Sequence, residues 1–408
     1  MDRGTDTGYT GRVAVAPAHA PPLMLQALLF VVIVWTAGGL ALELLTVALV
    51  PRLAPGPAAS RAPLPRVSII VPARDEARAI EEAVRSHLAQ DYPDFEVIVV
   101  DDQSTDATGP ILDALGRTQP RLRVIHNATL PAGWLGKPHA LHLGAEAATG
   151  DILLFVDADV RYAPGLLRAA VGRMEEARWD FLSLLPRVEM VGFWENVLMP
   201  FVPGAFYTGL GLLANADWFR WLAGGGGPGS AIRRSAYAAI GGHAALANSV
   251  VDDVRLALLT KQAGYRCRLV RAEPFARIRM YHGFHEIFDG FTKNVSHVYY
   301  GWAGFLLFLL TVGFVTAPAL PPAVLLCALA GVHMARPDVA LAAAGVGIVL
   351  LTRGILQRVL QAPLLAALTY PLQAVVWTVI TGRSFYWRLG RNEVVWRGRR
   401  YGTGQARF

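Results

Sequence analysis

The stretch that most limits what this chain can fold into is residues 24–50, twenty-seven residues in which Glu43 is the only formal charge. The run exceeds a signal-peptide core and is long enough to cross a bilayer with tilt. It reads as a retained anchor over residues 23–50. A second apolar mass begins after Tyr300, where Pro318, Pro321 and Pro322, then Arg336-Pro337, then Arg353 to Arg358 cut it into segments near 302–318, 319–335, 337–353 and 359–381. Several are short for a span, so two, three or four crossings are open. An arginine-rich end kept inside (Arg383, Arg388, Arg391, Arg397, Arg399, Arg400) requires an even number, and four are expected across 301–382.

Charge gives the orientation. Arg52, Arg61 and Arg66 follow the anchor closely, against Arg3 and Arg12 before it, so the positive-inside rule puts everything after Arg52 on the cytoplasmic side of a cell membrane, here read as a bacterial inner membrane. The net charge of +7 is nearly all arginine, because Lys137, Lys261 and Lys293 are the only lysines. Arginines set beside apolar segments read as topology and headgroup contacts, not as a nucleic-acid surface. Cys267 and Cys327 make neither a disulfide framework nor a metal site. Residues 1–22 have no periodicity and read as disordered, residues 51–65 as a Pro/Ala linker, and residues 383–408 as a basic cytoplasmic tail.

Between the apolar ends, residues 66–300 alternate strands and helices. Val67 to Val71 is a β-branched run stopped by Pro72; Ala77, Ile80, Val84 and Leu88 mark one helix face; Phe95 to Val100 is a second strand. This β-α-β order predicts a mostly parallel sheet. A third run, Ile152 to Val156, ends in Asp157-Ala158-Asp159. Ligands of open α/β sheets sit beyond the carboxyl ends of the strands. Two acids flanking a small residue there suit Mg²⁺ or Mn²⁺, which takes one or two carboxylates and completes its shell with substrate phosphate. A lone pair of this kind equally suits a helix cap ahead of Pro164, so its company matters.

That company is Pro72-Ala73-Arg74-Asp75-Glu76 after the first strand, Asp101-Asp102-Gln103-Ser104-Thr105-Asp106 after the second, Gly136-Lys137-Pro138-His139-Ala140-Leu141, and then Asp157-Ala158-Asp159. Further on come Gly224 to Arg234, glycine-rich at its start, and Val251-Asp252-Asp253-Val254-Arg255-Leu256-Ala257. In this order, over roughly residues 66–275, the set resembles family 2 glycosyltransferases, which have the α/β GT-A (nucleotide-diphospho-sugar transferase) fold, here with flanking transmembrane helices. The resemblance implies that Asp102 reads the nucleotide base with Ala73 and Glu76 nearby, that Asp157 touches ribose or metal, and that Asp159 holds the metal on the diphosphate. It implies that Lys137 faces the diphosphate, a role that suits a point charge. His139 stands where many relatives carry asparagine. Asp253 is the candidate general base for the acceptor hydroxyl, and Asp252 replaces the glutamate usual beside it. Without the resemblance, the pair would read as ordinary acids at a helix N-terminus.

Asn196 to Leu222 is long and apolar enough to span, but one crossing there would put Asp253 and Asp159 on opposite sides of the membrane. The segment near 194–222 is therefore expected to lie in the interface, with Trp194, Trp218, Arg220 and Trp221 at headgroup level and a membrane lipid as acceptor. Gly225 and Gly226 would allow close backbone approach and gate the site, with Arg233 and Arg234 assisting phosphate or headgroup. A Gln-x-x-Arg-Trp motif of processive polymerases is absent, and Phe288-Asp289-Gly290-Phe291-Thr292-Lys293-Asn294 is similar to members that glycosylate carotenoid- or hopanoid-type lipids. The expected activity is inverting, metal-dependent transfer of one sugar from a nucleotide-sugar, a UDP-sugar first, to a lipid hydroxyl or carboxyl. A polyprenyl-phosphate sugar synthase is the rival within the class, and a non-catalytic nucleotide-sugar-sensing membrane transport or scaffold protein the rival outside it.

Overall fold

The structure is a computed structural model and describes residues 22–55, 64–298, 313, 316–390, 393–396 and 399–402. The expected disorder lies outside the described residues over 1–21, as does the linker over 56–63, while Pro22 already belongs to the first helix. The anchor is one helix, α1 (Pro22–Leu49). Pro51 ends it, and the chain is then pinned to the catalytic domain, where Arg271 N donates to Pro51 O and Leu53 N to Arg271 O, both at 2.8 Å.

The central domain is built on seven strands in the order β3-β2-β1-β4-β8-β6-β9. These are β1 (Val67–Ala73), β2 (Phe95–Asp101), β3 (Leu122–His126), β4 (Ile152–Phe155), β6 (Phe181–Leu185), β8 (Ser230–Arg233) and β9 (Cys267–Arg271). Only β8 runs antiparallel to its neighbours. The apolar runs read from the sequence are fully buried strands, as expected where helices cover both faces. The helices α2 (Ile80–Leu88), α3 (Thr108–Gly116), α4 (Gly136–Ala147) and α5 (Leu166–Ala177) do the covering. Ala77 falls outside its expected helix, because Asp75 takes a positive φ of 51° and the chain turns until Ile80.

The topology fixes where a ligand can go. From β1 the chain steps outward through β2 and β3, then returns to the other side of β1 as β4, so the strand order reverses between β1 and β4. The register aligns Ala73 with Asp101 and Ile70 with Phe155. The loops carrying Glu76, Asp102 and Asp157 to Asp159 therefore leave the same sheet edge at the switch point. A smaller sheet, β5 (Val160–Tyr162), β10 (Ala276–Ile278) and β7 (Arg187–Val188), caps that edge.

The stretch near 194–222 breaks into α6 (Phe193–Leu198), α7 (Phe201–Ala205), a π-helical turn (Phe206–Leu210) and α8 (Gly211–Asn215). Glycines let it lie against neighbouring helices: a Cβ on Gly209 would touch Leu42, and one on Gly211 would touch Thr46 and Val50, all in or just after α1. Trp194 is half-buried with its ring 4.7 Å from that of Phe284, whereas Trp218 and Trp221 are 76% and 79% exposed. The chain then returns through β8, α9 (Arg234–Ala239) and α10 (Asp252–Gln262).

α11 (Gly283–Val298), α12 (Leu320–Leu329), α13 (Arg336–Val359) and α14 (Tyr370–Gly390) follow, then a hairpin of β11 (Glu393–Trp396) and β12 (Arg399–Gly402). Among the described residues, three stretches are long and apolar enough to cross a membrane, Leu23–Leu49, Arg336–Val359 and Leu364–Tyr386. The break expected at Arg353 does not occur. Arg353 is buried inside α13 with its guanidinium 3.9 Å from the Tyr370 ring centroid, and the chain turns instead at Gln361 (φ 56°) and Pro363. Residues 319–335 supply only a ten-residue helix, and most of 302–318 lies outside the described residues.

The last of these helices is fastened to the catalytic domain. Gln373 Nε2 donates to Val197 O (2.7 Å), Trp377 Nε1 donates to Leu198 O (3.1 Å), and the Trp377 ring lies 4.0 Å from Phe201 and 4.8 Å from Phe291. Truncating a buried tryptophan removes both its contacts and its hydrogen bond. Trp377→Ala is expected to destabilise the detergent-solubilised protein by about 3–5 kcal/mol in denaturation measurements, while Tyr386→Ala, at a side chain 74% exposed, leaves it unchanged.

Candidate active site

At the switch point lies a cavity of about 530 Å³ lined by Ala73, Glu76, Asp102, Lys137, Asp157 and Asp159 from the sheet side and by Met280, Tyr281, Glu286 and Gly290 opposite. The structure thus brings together all six side chains assigned to donor and metal from the sequence. The loops after β1 and β2 are tied to each other: Asp75 N donates to Ser104 Oγ (3.0 Å), Thr105 N to Asp75 Oδ1 (2.7 Å) and Glu76 N to Thr108 Oγ1 (2.8 Å). Asp102 is 1% exposed, its N–H bonded to Ala73 O and its carboxylate accepting from Asn127 Nδ2 at 2.8 Å. The same Asn127 amide lies 3.2 Å from His139 Nδ1. His139, the departure from the family pattern, therefore acts behind Asp102 by orienting Asn127.

Lys137 sits in the first turn of α4 and reaches the middle of the site. Its Nζ is 2.7 Å from Asp157 Oδ1 and 3.8 Å from Asp252 Oδ1. Burial works against its charge, but Asp157, Asp252 and Asp253 outweigh it and hold the ammonium well above its usual range. Asp252 is 3% exposed and pushed up to about 7 by burial, with Asp253 and Asp157 adding to the effect. Behind it stands His243, Nε2 4.0 Å from Asp252 Oδ2 and Nδ1 2.9 Å from the Tyr237 hydroxyl. Burial lowers His243 to about 3, so this imidazole is neutral and Lys137 supplies the local positive charge. Asp253 is half-buried on the wall of an adjoining cavity, with Oδ1 accepting from Val254 N at 2.8 Å.

The glycine run is a packed turn. A Cβ on Gly225 would overlap the backbone of Asp253, and one on Gly227 would overlap the Asp157 carboxylate. Asp157 N donates to Gly227 O (2.9 Å) and the Tyr162 hydroxyl to Pro228 O (2.7 Å). Gly225 and Gly226 both line the adjoining cavity. Arg233 and Arg234 correct the expectation that they assist there. Because β8 runs antiparallel to β4, Ser230 pairs with Phe155 at the site while Arg233 pairs with Ile152 at the far end of the strand. There Arg233 binds Glu175 (2.8 Å) and Arg234 Nε donates to Gly150 O (2.7 Å), so both are structural.

A divalent cation fits what is present. Asp159 is pushed up to about 7, first by burial and then by the charges of Asp157 and Glu76, a concentration of negative charge that Lys137 only partly offsets. Among the described residues no cluster of three His, Cys, Asp or Glu forms a protein-only cage. Asp159, with Asp157 beside it, matches a cation that completes its shell with phosphate oxygens.

Tyr281, Met280, Glu286, His243 and Tyr237 were not singled out from the sequence. Gly290 carried a signal for Tyr281, since a Cβ there would strike the Tyr281 ring, and it lies in the Phe288 to Asn294 motif. Glu286 accepts from His282 N (2.7 Å) and pairs with Arg78 (3.6 Å), which joins α11 to the loop after β1.

Two outcomes follow from this packing. Gly227→Ala is expected to displace Asp157 and to weaken nucleotide binding at this cavity in calorimetry, whereas Gly172→Ala, with open space around it, should not. The value of Asp159 is raised in the folded state, so its contribution to stability falls as pH rises from about 4 through about 7. Asp159→Asn should therefore raise the melting temperature of the metal-free protein at pH 8, by about 2–4 °C per ~1 kcal/mol of relieved repulsion, and raise it progressively less as the pH falls towards 4.

Residues 68–241 match the model of glycosyl transferase family 2. Over 233 residues the chain is 28% identical to a 4,4'-diaponeurosporenoate glycosyltransferase of Staphylococcus aureus, covering 56% of this chain and 60% of the relative. Over 140 residues it is 35% identical to a beta-monoglucosyldiacylglycerol synthase of Synechocystis, covering 33% of this chain and 29% of the relative. The chain thus spans less than two thirds of the length of either. A solved structure, the mannosyltransferase PcManGT of Pyrobaculum calidifontis in complex with GDP-Man and Mn²⁺, superposes with a TM-score of 0.52 at 24% identity over 85% of this chain and 99% of that one, which shows a shared fold. Residues 68–241 thus carry a domain that matches glycosyl transferase family 2, on a GT-A fold.

Proposed function

We propose that this protein transfers a single sugar, with inversion, from a nucleotide-sugar to a membrane lipid, at the cytoplasmic face of the membrane that its apolar helices cross. The observation that carries the reading is a pair of cavities sharing one seam. The donor-side cavity meets a second, of about 440 Å³, at Lys137, Asp157, Asp159, Met280 and Tyr281. The second is walled by Leu185, Val188, Val202, Pro203, Phe206 and Ile278, with Asp252 and Asp253 at its inner end. Its Val202 to Phe206 wall belongs to α7 and the π-turn, whose other side packs on the apolar helices: a Cβ on Gly204 would lie 3.1 Å from Leu356 of α13. An apolar wall backed by these helices suits an apolar acceptor. Exposed Trp218 and Trp221 supply an interfacial anchor on the same segment. The names of two relatives, one of a diacylglycerol product and one of diaponeurosporenoate, support a lipid acceptor.

In this reading Asp102 accepts from the nucleotide base, and Lys137 faces the diphosphate as a fixed point charge. Asp253 removes the acceptor proton as the new bond forms on the anomeric carbon opposite the departing diphosphate. Asp252, held by Lys137 and His243, positions the start of α10. Mg²⁺ or Mn²⁺ at Asp159, when bound, neutralises charge developing on the leaving group. A UDP-sugar is the first donor to try.

Membranes carrying the protein, given labelled UDP- and GDP-sugars with Mg²⁺ or Mn²⁺, should show metal-dependent label in the lipid extract. Asp253→Asn is expected to lower transfer about 10²–10⁴-fold, and Asp159→Ala to remove its metal dependence together with most of the activity. Wild-type transfer by both variants, or label found only in water-soluble products, would contradict the proposal.

A further inference from the structure

We infer that the third long apolar stretch, Leu364–Tyr386, does not cross the membrane but lies in the plane of the bilayer surface on the catalytic side. One face of it sits in the core of the catalytic domain, and the other is sunk among lipid headgroups and the first acyl carbons. The inference does not depend on the transferase reading.

Two helices fix where that surface is. α1 and α13 run in the same direction: a Cβ on Gly345 would lie 3.5 Å from Ile33, and further along both helices Val47 packs against the cluster of Tyr207, Leu356 and Leu360. Both end against the catalytic domain, α1 through Pro51 on Arg271 and α13 through Leu356 on Gly204. Arg52 and Arg358 stand exposed at these two ends, as arginines reaching for phosphates at one membrane surface do. The far ends meet elsewhere, where Leu29 and Ala342 pack with Val324 of α12. The chain therefore leaves the bilayer near Leu360 on the catalytic side, and the turn at Gln361 and Pro363 redirects it.

A crossing helix would have to run back beside α1 and α13 towards Leu29 and Ala342. α14 instead packs chiefly on α11 and α6. Gln373 and Trp377 donate to Val197 O and Leu198 O, and further along Arg383 Nη1 donates to Asp289 Oδ1 at 3.0 Å with its guanidinium 4.9 Å from the Phe288 ring centroid. Asp289 is exposed, and its neighbour Gly290 lines the donor-side cavity with Glu286. Drawing α14 across the bilayer would drag these carboxylates of α11 into hydrocarbon, where charge is expensive. A helix in the plane leaves them in water.

The two faces of α14 match that placement. Gln373, Ala374, Trp377, Ile380 and Ser384 are buried, and three of them, Ala374, Trp377 and Ile380, belong to the catalytic domain's own core. Opposite them Leu372, Val375, Val379 and Tyr386 recur at steps of three, four and seven residues, a single helical stripe, and are 38% to 74% exposed. Leu365 and Leu368, 77% and 61% exposed, extend it. A row of exposed apolar side chains this long marks an interaction surface. Its occupant is lipid, because the row begins directly after α13 leaves the bilayer and is followed in sequence by Arg388 and Arg391, which suit anionic headgroups. Through Trp377, set against Phe201 and Phe291, the same helix holds α7 and α11 at the lipid surface.

The test uses the full-length protein carrying Cys327→Ser. Leu365→Cys, Tyr386→Cys and, as a reference for the catalytic side, Arg358→Cys are treated with a membrane-impermeant maleimide in sealed right-side-out and inverted membrane vesicles. Nitroxides at Leu372→Cys, Val375→Cys and Val379→Cys report depth in vesicles containing phosphatidylglycerol. All three maleimide sites are expected to label from the same side, and the three nitroxides to lie at one depth, about 5–10 Å into the headgroup and acyl boundary. Labelling of Leu365→Cys and Tyr386→Cys from opposite sides would overturn the inference. So would a depth that changes by about 1.5 Å per residue along the stripe, or nitroxides in contact with water alone. Neither readout involves sugar transfer, so its outcome is separate from that of the transfer assay.

Discussion

The site depends on one ammonium group held among carboxylates from separate parts of the chain. Lys137 comes from the first turn of α4, Asp157 from the loop after β4, and Asp252 from the start of α10, more than ninety residues further on. Remove the ammonium and Asp157, Asp252 and Asp253 are left facing one another in a space where burial already pushes Asp252 and Asp159 up to about 7. Unpaired buried charge is among the costliest features a fold can carry. The Lys137 contacts are therefore both a structural clasp and the positive pole of the site. The glycine run is shaped by the same demand, because only residues without a Cβ let its backbone close over Asp157 and Asp253.

Around that clasp the fold separates polar from apolar. On one side the sheet edge presents Ala73, Glu76 and Asp102, groups suited to a nucleotide. On the other, α7 and the π-turn present Val202, Pro203 and Phe206, with α1 and α13 directly behind. Trp377, reaching from α14 between Phe201 and Phe291, fixes this wall relative to α11, whose Glu286 and Gly290 close the donor side. The apolar helices thus contribute to the shape of both cavities.

Much of this was legible in residue order. β-branched runs ending in acids marked the strands, and the strand order at the switch point made it inevitable that Glu76, Asp102, Asp157 and Asp159 would converge. What lay beyond reach was set by long-range pairing. That Arg233 faces away follows from the antiparallel direction of β8, a choice no local pattern announces. Arg353 looked like a chain break because an isolated arginine in an apolar run usually is one; here the Tyr370 ring, seventeen residues on, accepts it inside a helix. His243 and Tyr237 support Asp252 only through tertiary packing, and Tyr281 reaches the donor cavity because Gly290 makes room for its ring.

The most direct test of the two-cavity account is to locate both substrates at once, in crystals or vitrified particles of the full-length protein with Mn²⁺, a non-hydrolysable nucleotide-sugar and a long-chain lipid alcohol. The account predicts an Mn²⁺ anomalous or density peak at Asp159, diphosphate against Lys137, and the lipid chain along Val202, Pro203 and Phe206 with its hydroxyl beside Asp253. A metal bound away from Asp159, or a lipid chain lying outside this wall with its head remote from Asp253, would contradict it.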